Sequence, residues 1–449
     1  MNWIIKTIKT TVTALAIPFV LSLTACSDKD YLNAIPEEST LLISMNPTKL
    51  TGTGSPLILK SLLHVSKLND SGLDLSANVY FFEDARANIG VCAKVSDDDK
   101  LSDLLKQAHL NIIERRGYKF AALPNNWVIG FSDKAALLMG PALPADQSVL
   151  MTQMSKYLSA DEDDGIKDSP LFDKLDSIDA PMALVGQVQA LPEQLVMPFT
   201  IGAPRDTDPQ DIMIAASMQL KDNELLMQGE TYSLRKDVDK ALKAAQKIYR
   251  PIKGAYVKAM SKDDVLGMFL NVNGGQFHTL ISQNRGIAAL LAGIGSAIDM
   301  DNILKSVDGD LTIVSPSLVK GNMHMMMAAK LGNAKWLDDV DYWKQSVPNG
   351  GIIGDWGKNC YFYKDSSTSY YFGVTPDMQY MSGSSPEEAR ASIKACSNPI
   401  PEKLQQKIIG QKLVMIINFA ALQGTKAEAV TALFKPMFGH VNTIVYQMK

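Results

Sequence analysis

The sequence predicts an α+β protein in which one module is used twice. Short alternating strands, such as 88–95 and 127–131, are interspersed with amphipathic helical stretches. Similar segments recur in one collinear order, at offsets confined to 225–243 residues. A chain of 449 residues, 46% hydrophobic and 20% charged, is long enough for two cores of this kind.

Tyr31-Leu32-Asn33-Ala34-Ile35 and the apolar run 41–44 match Tyr256-Val257-Lys258-Ala259-Met260 and 266–270, at an offset of 225. Next, 79–82 matches 311–314 at 232, and Ala93-Lys94-Val95 matches Ala329-Lys330-Leu331 at 236. Helical stretches then end in Lys106-Gln107 and Lys344-Gln345, at 238. Gly117-Tyr118-Lys119-Phe120 is set against Cys360-Tyr361-Phe362-Tyr363 at 243, and Met139 and Pro144 against Met381 and Pro386 at 242. Lys174-Leu175 falls on Lys403-Leu404 at 229, and Ala190-Leu191 on Ala421-Leu422 at 231.

These matches define copies over 31–200 and 256–449. The predicted organisation is a signal segment 1–25, an acidic tether 26–30, a first module 31–252 and a second module 253–449. The first module carries a hairpin, 211–220 with 224–232, and a charged connecting helix over 236–249. Ser55-Pro56 opens a helix over 57–68 with a capping serine and a first-turn proline. Ser385-Pro386-Glu387-Glu388 is a capping box, with Glu388 reaching back to the Ser385 amide. Pro144 to Lys174 spans 30 positions but Pro386 to Lys403 only 17, so the first copy holds 13 extra residues.

Net charge −4 with no basic cluster argues against a nucleic-acid surface. The N-terminus is more specific. Lys6 and Lys9 precede a short apolar run, 11–23, which is too short to span a bilayer and has the layout of a secretory signal. Leu23-Thr24-Ala25-Cys26 resembles the lipobox of bacterial lipoproteins, which implies acylation, with palmitate among the acyl groups, at Cys26 and a membrane partner through that anchor. Ser27-Asp28-Lys29-Asp30 resembles the export signal of surface-exposed Bacteroidota lipoproteins, so an outer-membrane address is expected. Removal of residues 1–25 takes the charge to −6. The apolar stretch 286–298 is bounded by Arg285 and Asp299 and reads as a core helix.

Cys92, Cys360 and Cys396 remain, an odd number in an oxidising compartment. Cys92 reads as a small buried hydrophobe, and Cys360 with Cys396 is a candidate disulfide. No metal or cofactor is expected. The acidic run Asp161-Glu162-Asp163-Asp164-Gly165 places glycine at position 5 of a calcium loop, where a ligand is needed. Met323-His324-Met325-Met326-Met327 has copper-like ligands, but strand alternation splits them between two faces, which favours core packing. The five histidines are scattered, and neither G-x-S-x-G nor a P-loop occurs.

Eleven of the 33 aromatic residues lie between Trp336 and Tyr380. Strand neighbours such as Tyr361-Phe362-Tyr363 point to opposite faces, so one core cannot take them all. Trp356, Tyr361, Tyr363 and Tyr370 are the candidate binding residues for a glycan, a peptide or an envelope protein. A thicker core is the competing reading.

The lipobox, the opening Asp30-Tyr31-Leu32-Asn33-Ala34-Ile35-Pro36 and the run from Tyr371 to Gly383 together resemble a family of uncharacterised Bacteroidota lipoproteins, defined as a domain of unknown function. The resemblance implies a cell-envelope location and carries no catalytic residues. A non-catalytic binding or structural role is therefore expected, with a hydrolase of an envelope or extracellular polymer as the rival.

Overall fold

Among the described residues, alternating apolar segments pair into one sheet of 19 strands. The computed structural model describes residues 29–49, 70–191, 196, 198–283, 298–317, 325–347, 350–422 and 441–449. The strands of the first half are β1 (Leu41–Met45), β2 (Val79–Glu83), β3 (Ile89–Lys94), β4 (Ile112–Arg115), β5 (Tyr118–Leu123), β6 (Trp127–Phe131), β7 (Ala135–Gly140), β8 (Met182–Gln187), β9 (Met213–Lys221) and β10 (Glu224–Tyr232). Those of the second half are β11 (Leu266–Asn273), β12 (Val307–Ser315), β13 (Met326–Leu331), β14 (Ile352–Gly357), β15 (Cys360–Lys364), β16 (Ser369–Val374), β17 (Gln379–Gly383), β18 (Leu413–Asn418) and β19 (Thr443–Met448).

The ladders join the strands in the order β4-β5-β6-β7-β3-β2-β1-β8-β9-β10-β19-β18-β11-β12-β13-β17-β16-β15-β14. Among the described residues every ladder is antiparallel except β10 with β19, which joins the two halves. β4 and β14 are therefore the ends of the sheet among the described residues.

Eight pairings of the first half recur in the second with each strand number raised by ten. The registers agree as well. Phe82 faces Leu42 and Gly90, and Val314 faces Gly267 and Met326, which keeps the sequence offsets 232, 225 and 236. Val185 faces Leu42 as Ile416 faces Gly267, at 231. Two sequence matches are displaced. Phe120 faces Gly130 as Cys360 faces Gly373, which sets β5 on β15 at 240 instead of 243. Ala136 faces Ala93 as Tyr380 faces Ala329, at 244 instead of 242. The similar Tyr-Lys-Phe and Tyr-Phe-Tyr triplets attract an alignment that pairing forbids, because an odd slip exchanges the two faces of a strand.

One sheet face carries an apolar cluster drawn from both halves, including Ile129, Phe131, Leu270, Leu311 and Tyr380. Helices α1 (Asp98–Gln107), α4 (Lys236–Gln246), α5 (Gly274–Ile281), α6 (Met300–Lys305) and α7 (Val340–Ser346) add their apolar sides to it. The reverse face is covered in two patches. In the first half α2 (Gln147–Leu158) and α3 (Pro170–Asp176) cover Phe120, Val128 and Met139. In the second half α8 (Pro386–Ala391) is short, and α9 (Glu402–Ile408) covers Phe269, Val414 and Ile416.

The connection leaving α4 is clamped onto the second half by one buried carboxylate. Asp310 accepts hydrogen bonds from the Lys253 and Ala255 amides, both at 2.9 Å, and from Asn271 Nδ2 at 2.8 Å. Arg250 donates to Asn271 Oδ1 at 2.9 Å and pairs with Asp308 at 2.8 Å. Asp310→Ala strips three donors of their acceptor, and roughly 3 kcal/mol of stability should be lost. Urea unfolding followed by circular dichroism measures this, and a loss below about 1 kcal/mol would show that the clamp is dispensable.

Candidate functional site

The aromatic-rich segment folds into the meander β14–β17, and its registers decide which ring faces where. Tyr361 lies opposite Phe372 and Tyr363 opposite Tyr370, while Phe362 lies opposite Tyr371. Side chains opposite one another share a face, so the sheet separates the aromatics into an inner and an outer set.

The inner set belongs to the core. Tyr363 is 4% exposed and joins Trp336, Trp343, Phe372 and Tyr380 in the common cluster, with Tyr361 and Tyr370 packed against it. Tyr363 Oη donates to Asp365 Oδ2 at 2.7 Å, and the Tyr370 and Tyr380 hydroxyls lie 2.7 Å apart. Lys344 sits over the Tyr361 ring at 5.3 Å and pairs with Asp355 at 2.9 Å. Burial pushes the Tyr370 phenol up and holds Tyr380 well above its ordinary range. The bond to Asp365 raises Tyr363, and the same bond, helped by Ser367, holds the Asp365 carboxyl down at about 2. Tyr363 is thus a core residue, and Tyr361 and Tyr370 are partly buried on the inner face against the same cluster. Alternation accounts for the correction: the neighbouring positions 362 and 371 take the outer face.

Of the four expected residues, only Trp356 belongs to the outer set. Its indole N–H donates to the Tyr361 carbonyl at 2.7 Å and the Phe372 carbonyl at 3.3 Å, which pins the ring against the sheet. Tyr371 meets it edge-on, with centroids 6.2 Å apart, and the Arg390 guanidinium lies 4.7 Å above it. Phe362 and Tyr371 are 5.6 Å apart, with Lys364 Nζ 5.8 Å and 5.5 Å from their centroids. The Phe362 ring lies over Gly354, where an added Cβ would stand 2.6 Å from it. Trp356, Phe362 and Tyr371 are half-buried, while Lys364, Arg390 and Ile352 are exposed, Ile352 at 64%. Ile352 faces Lys364 across the ladder and so extends the outer patch to the sheet edge.

Neither Lys364 nor Arg390 makes an ion pair among the described residues. Their charges rest on aromatic faces, an attraction of about 0.5–1 kcal/mol at exposed sites. Sequence reasoning missed Phe362, Tyr371, Lys364, Arg390 and Ile352. The two-residue period was visible, but only the register tells which phase of it faces outward.

Among the described residues α2 covers the equivalent face of the first half. Leu150, Met151 and Met154 of α2 pack on Phe120, Val128 and Leu137, and Arg115 at the edge reaches Ser148 at 3.2 Å. α2 has 12 residues and α8 has 6, in the interval where the first copy is 13 residues longer. α8 starts at the expected cap: Ser385 Oγ accepts from the Glu388 amide at 3.1 Å. Glu388 reaches back one residue further than expected, to the Ser384 amide at 2.8 Å.

The candidate disulfide does not form, since Cys360 and Cys396 are both free thiols, as is Cys92. Cys360 is fixed on the outer side of β15 against Gly373, whereas the Cys396 amide is tied to the Lys258 carbonyl at 3.0 Å. Burial raises the Cys360 thiol, opposed in part by Arg390, and burial raises Cys92 further. Cys26, residues 1–25, the helix start at Ser55, most of 286–298 and the Met323-His324 pair lie outside the described residues. Among the described residues no group of three His, Cys, Asp or Glu side chains is arranged to hold a metal ion, and no helix is long and apolar enough to cross a membrane.

A family model described as "Domain of unknown function (DUF4836)" matches residues 60–403. No curated protein matches the sequence. Crystal forms IV and III of TP0453 are similar at 10% and 9% identity. Form IV covers 44% of this chain and 77% of that chain, with a TM-score of 0.28. Form III covers 81% and 96%, with a TM-score of 0.24. Scores this low carry no argument about fold or function.

Proposed function

Because the chain belongs to the DUF4836 family, whose description assigns no chemistry, we propose its role from geometry: a Bacteroidota envelope lipoprotein, acylated at Cys26, that binds a partner non-catalytically through the outer face of β14–β17. The observation that carries this reading is the aromatic and cationic patch on that face, which the described residues leave half open. Trp356, Phe362 and Tyr371 offer contact area there, beside two cations with no carboxylate partner among the described residues. Aromatic and arginine side chains are also the residue types that dominate binding energy at interfaces.

The same proposal takes the two halves as a duplicated module whose copies have diverged. Recurrence of eight pairings, with registers at nearly constant offsets, supports it. One copy kept a long covering helix and the other lost most of it, so the second copy exposes a surface that the first spends on its core.

Glycan and peptide arrays probed with the full-length acylated protein test the binding role. Binding is expected to weaken at least tenfold in Trp356→Ala and in Arg390→Glu, with melting temperatures within a few degrees of wild type. Equal retention of any array ligand by wild type and both variants would remove this face from the reading.

A further inference from the structure

The outer patch ends at an open sheet edge, and the two features together point to one class of partner. β14 pairs only with β15 among the described residues, so one side of its backbone lacks a ladder. Proteins usually blunt such edges with charge or short length. β4, the opposite edge, follows that rule: it has four residues, carries Glu114 and Arg115, and runs into Arg116. β14 has six residues. Its one charge, the exposed Asp355 paired with Lys344, and a register irregularity between Asp355 and Gly357 lie in its second half. This leaves Ile352–Gly354 as a regular, uncharged stretch of edge. Ile352 stands exposed on its outer side.

We propose that the β14 edge and the outer face beside it take an extended acidic polypeptide by strand addition. The proposal rests on the reading above that this face binds. A polypeptide is favoured over a glycan because only a backbone with regularly spaced N–H and C=O groups completes the ladder of β14. Every second side chain of an added strand lies on the outer face, next to Ile352, Gly354 and Trp356. Lys364 and Arg390 are the nearest cations of that face, and acidic side chains give them the counter-charge that they lack within the described residues. A basic strand would meet repulsion at both.

Fluorescence anisotropy of a ten-residue peptide alternating glutamate with valine or threonine, titrated with the full-length acylated protein in detergent, tests the proposal. Binding is expected, and it should weaken at least tenfold in Ile352→Glu and in Arg390→Glu. These two residues are exposed, so the variants should keep the wild-type melting temperature. A lysine-for-glutamate peptide, and a glutamate peptide N-methylated at alternate residues, should bind at least tenfold more weakly.

Equal binding of the N-methylated peptide overturns strand addition, and equal binding of the lysine peptide overturns the acidic preference. Binding of polygalacturonate, lost in Trp356→Ala, with none of the peptides bound, overturns this inference and leaves the binding role standing. Self-association abolished by Ile352→Glu, without peptide binding, makes a second copy of the chain the occupant and also overturns it. Failure of the peptides and polygalacturonate alike, in a wild type whose array ligands ignore Trp356→Ala, overturns both readings.

Discussion

Trp336→Ala should cost roughly 3–5 kcal/mol, the largest loss expected from any single truncation in the second half. Trp336 is 1% exposed and sits at the centre of the inner aromatic set. It lies parallel to Trp343 at 6.1 Å, tilted against Phe372 at 6.0 Å and edge-on to Tyr380 at 6.3 Å. Removing it opens a cavity bounded by three large rings on rigid elements, which cannot collapse to fill the space. The indole nitrogen is buried and has no hydrogen-bond partner among the described residues. Trp336→Phe therefore removes a desolvated donor as well as some contact area. An unpaired buried donor costs about 1–3 kcal/mol, comparable to the packing lost with the smaller ring, so this variant should lie within about 1.5 kcal/mol of wild type. Urea unfolding monitored by far-ultraviolet circular dichroism separates the two. A Trp336→Ala loss below about 1 kcal/mol, or a Phe variant as damaged as the Ala one, would mean that the aromatic set is not a packed core.

Cys26→Ser should move the protein from the membrane fraction to the soluble fraction almost completely. One fourteen-carbon chain binds a bilayer only reversibly, whereas each further buried CH₂ contributes about 0.8 kcal/mol, so two or three chains hold a domain indefinitely. Among the described residues no helix offers an alternative span. Labelling with radioactive palmitate followed by fractionation reads both halves of the claim. The wild type should incorporate label and pellet with membranes, and Cys26→Ser should do neither. A serine variant that still pellets after a salt wash would place the anchor elsewhere in the chain.

Much of the fold was legible without coordinates. The strands at 88–95 and 127–131, the hairpin around Lys221-Asp222-Asn223 and the connecting helix are where local pattern places them, as β3, β6, β9 with β10, and α4. These elements are legible because their signals are local: alternation, turn residues and helical spacing lie within a few positions. The repeat offsets 225, 232, 236 and 231 agree with the ladders because apolar strands at the centre of the sheet tolerate little slip. Legibility failed at β15, where an aromatic match of the wrong phase outscored the true one, and at β17, where a methionine match is displaced by two residues and so keeps its face. The site failed for the same reason, since a three-residue shift exchanges Phe362 with the tyrosines as the outward residue.

By itself, then, the sequence determined the strand and helix segments, the collinear order in which similar segments recur and the excess of aromatic residues between Trp336 and Tyr380. Tertiary structure alone decided which aromatics are covered. That outcome depends on cross-strand register, on a helix of 6 residues standing where the first half has one of 12, and on where the sheet ends. Each is a relation between segments far apart in the chain. Side-chain exposure is settled by what packs against a residue, and the described residues leave Trp356, Phe362 and Tyr371 only half covered.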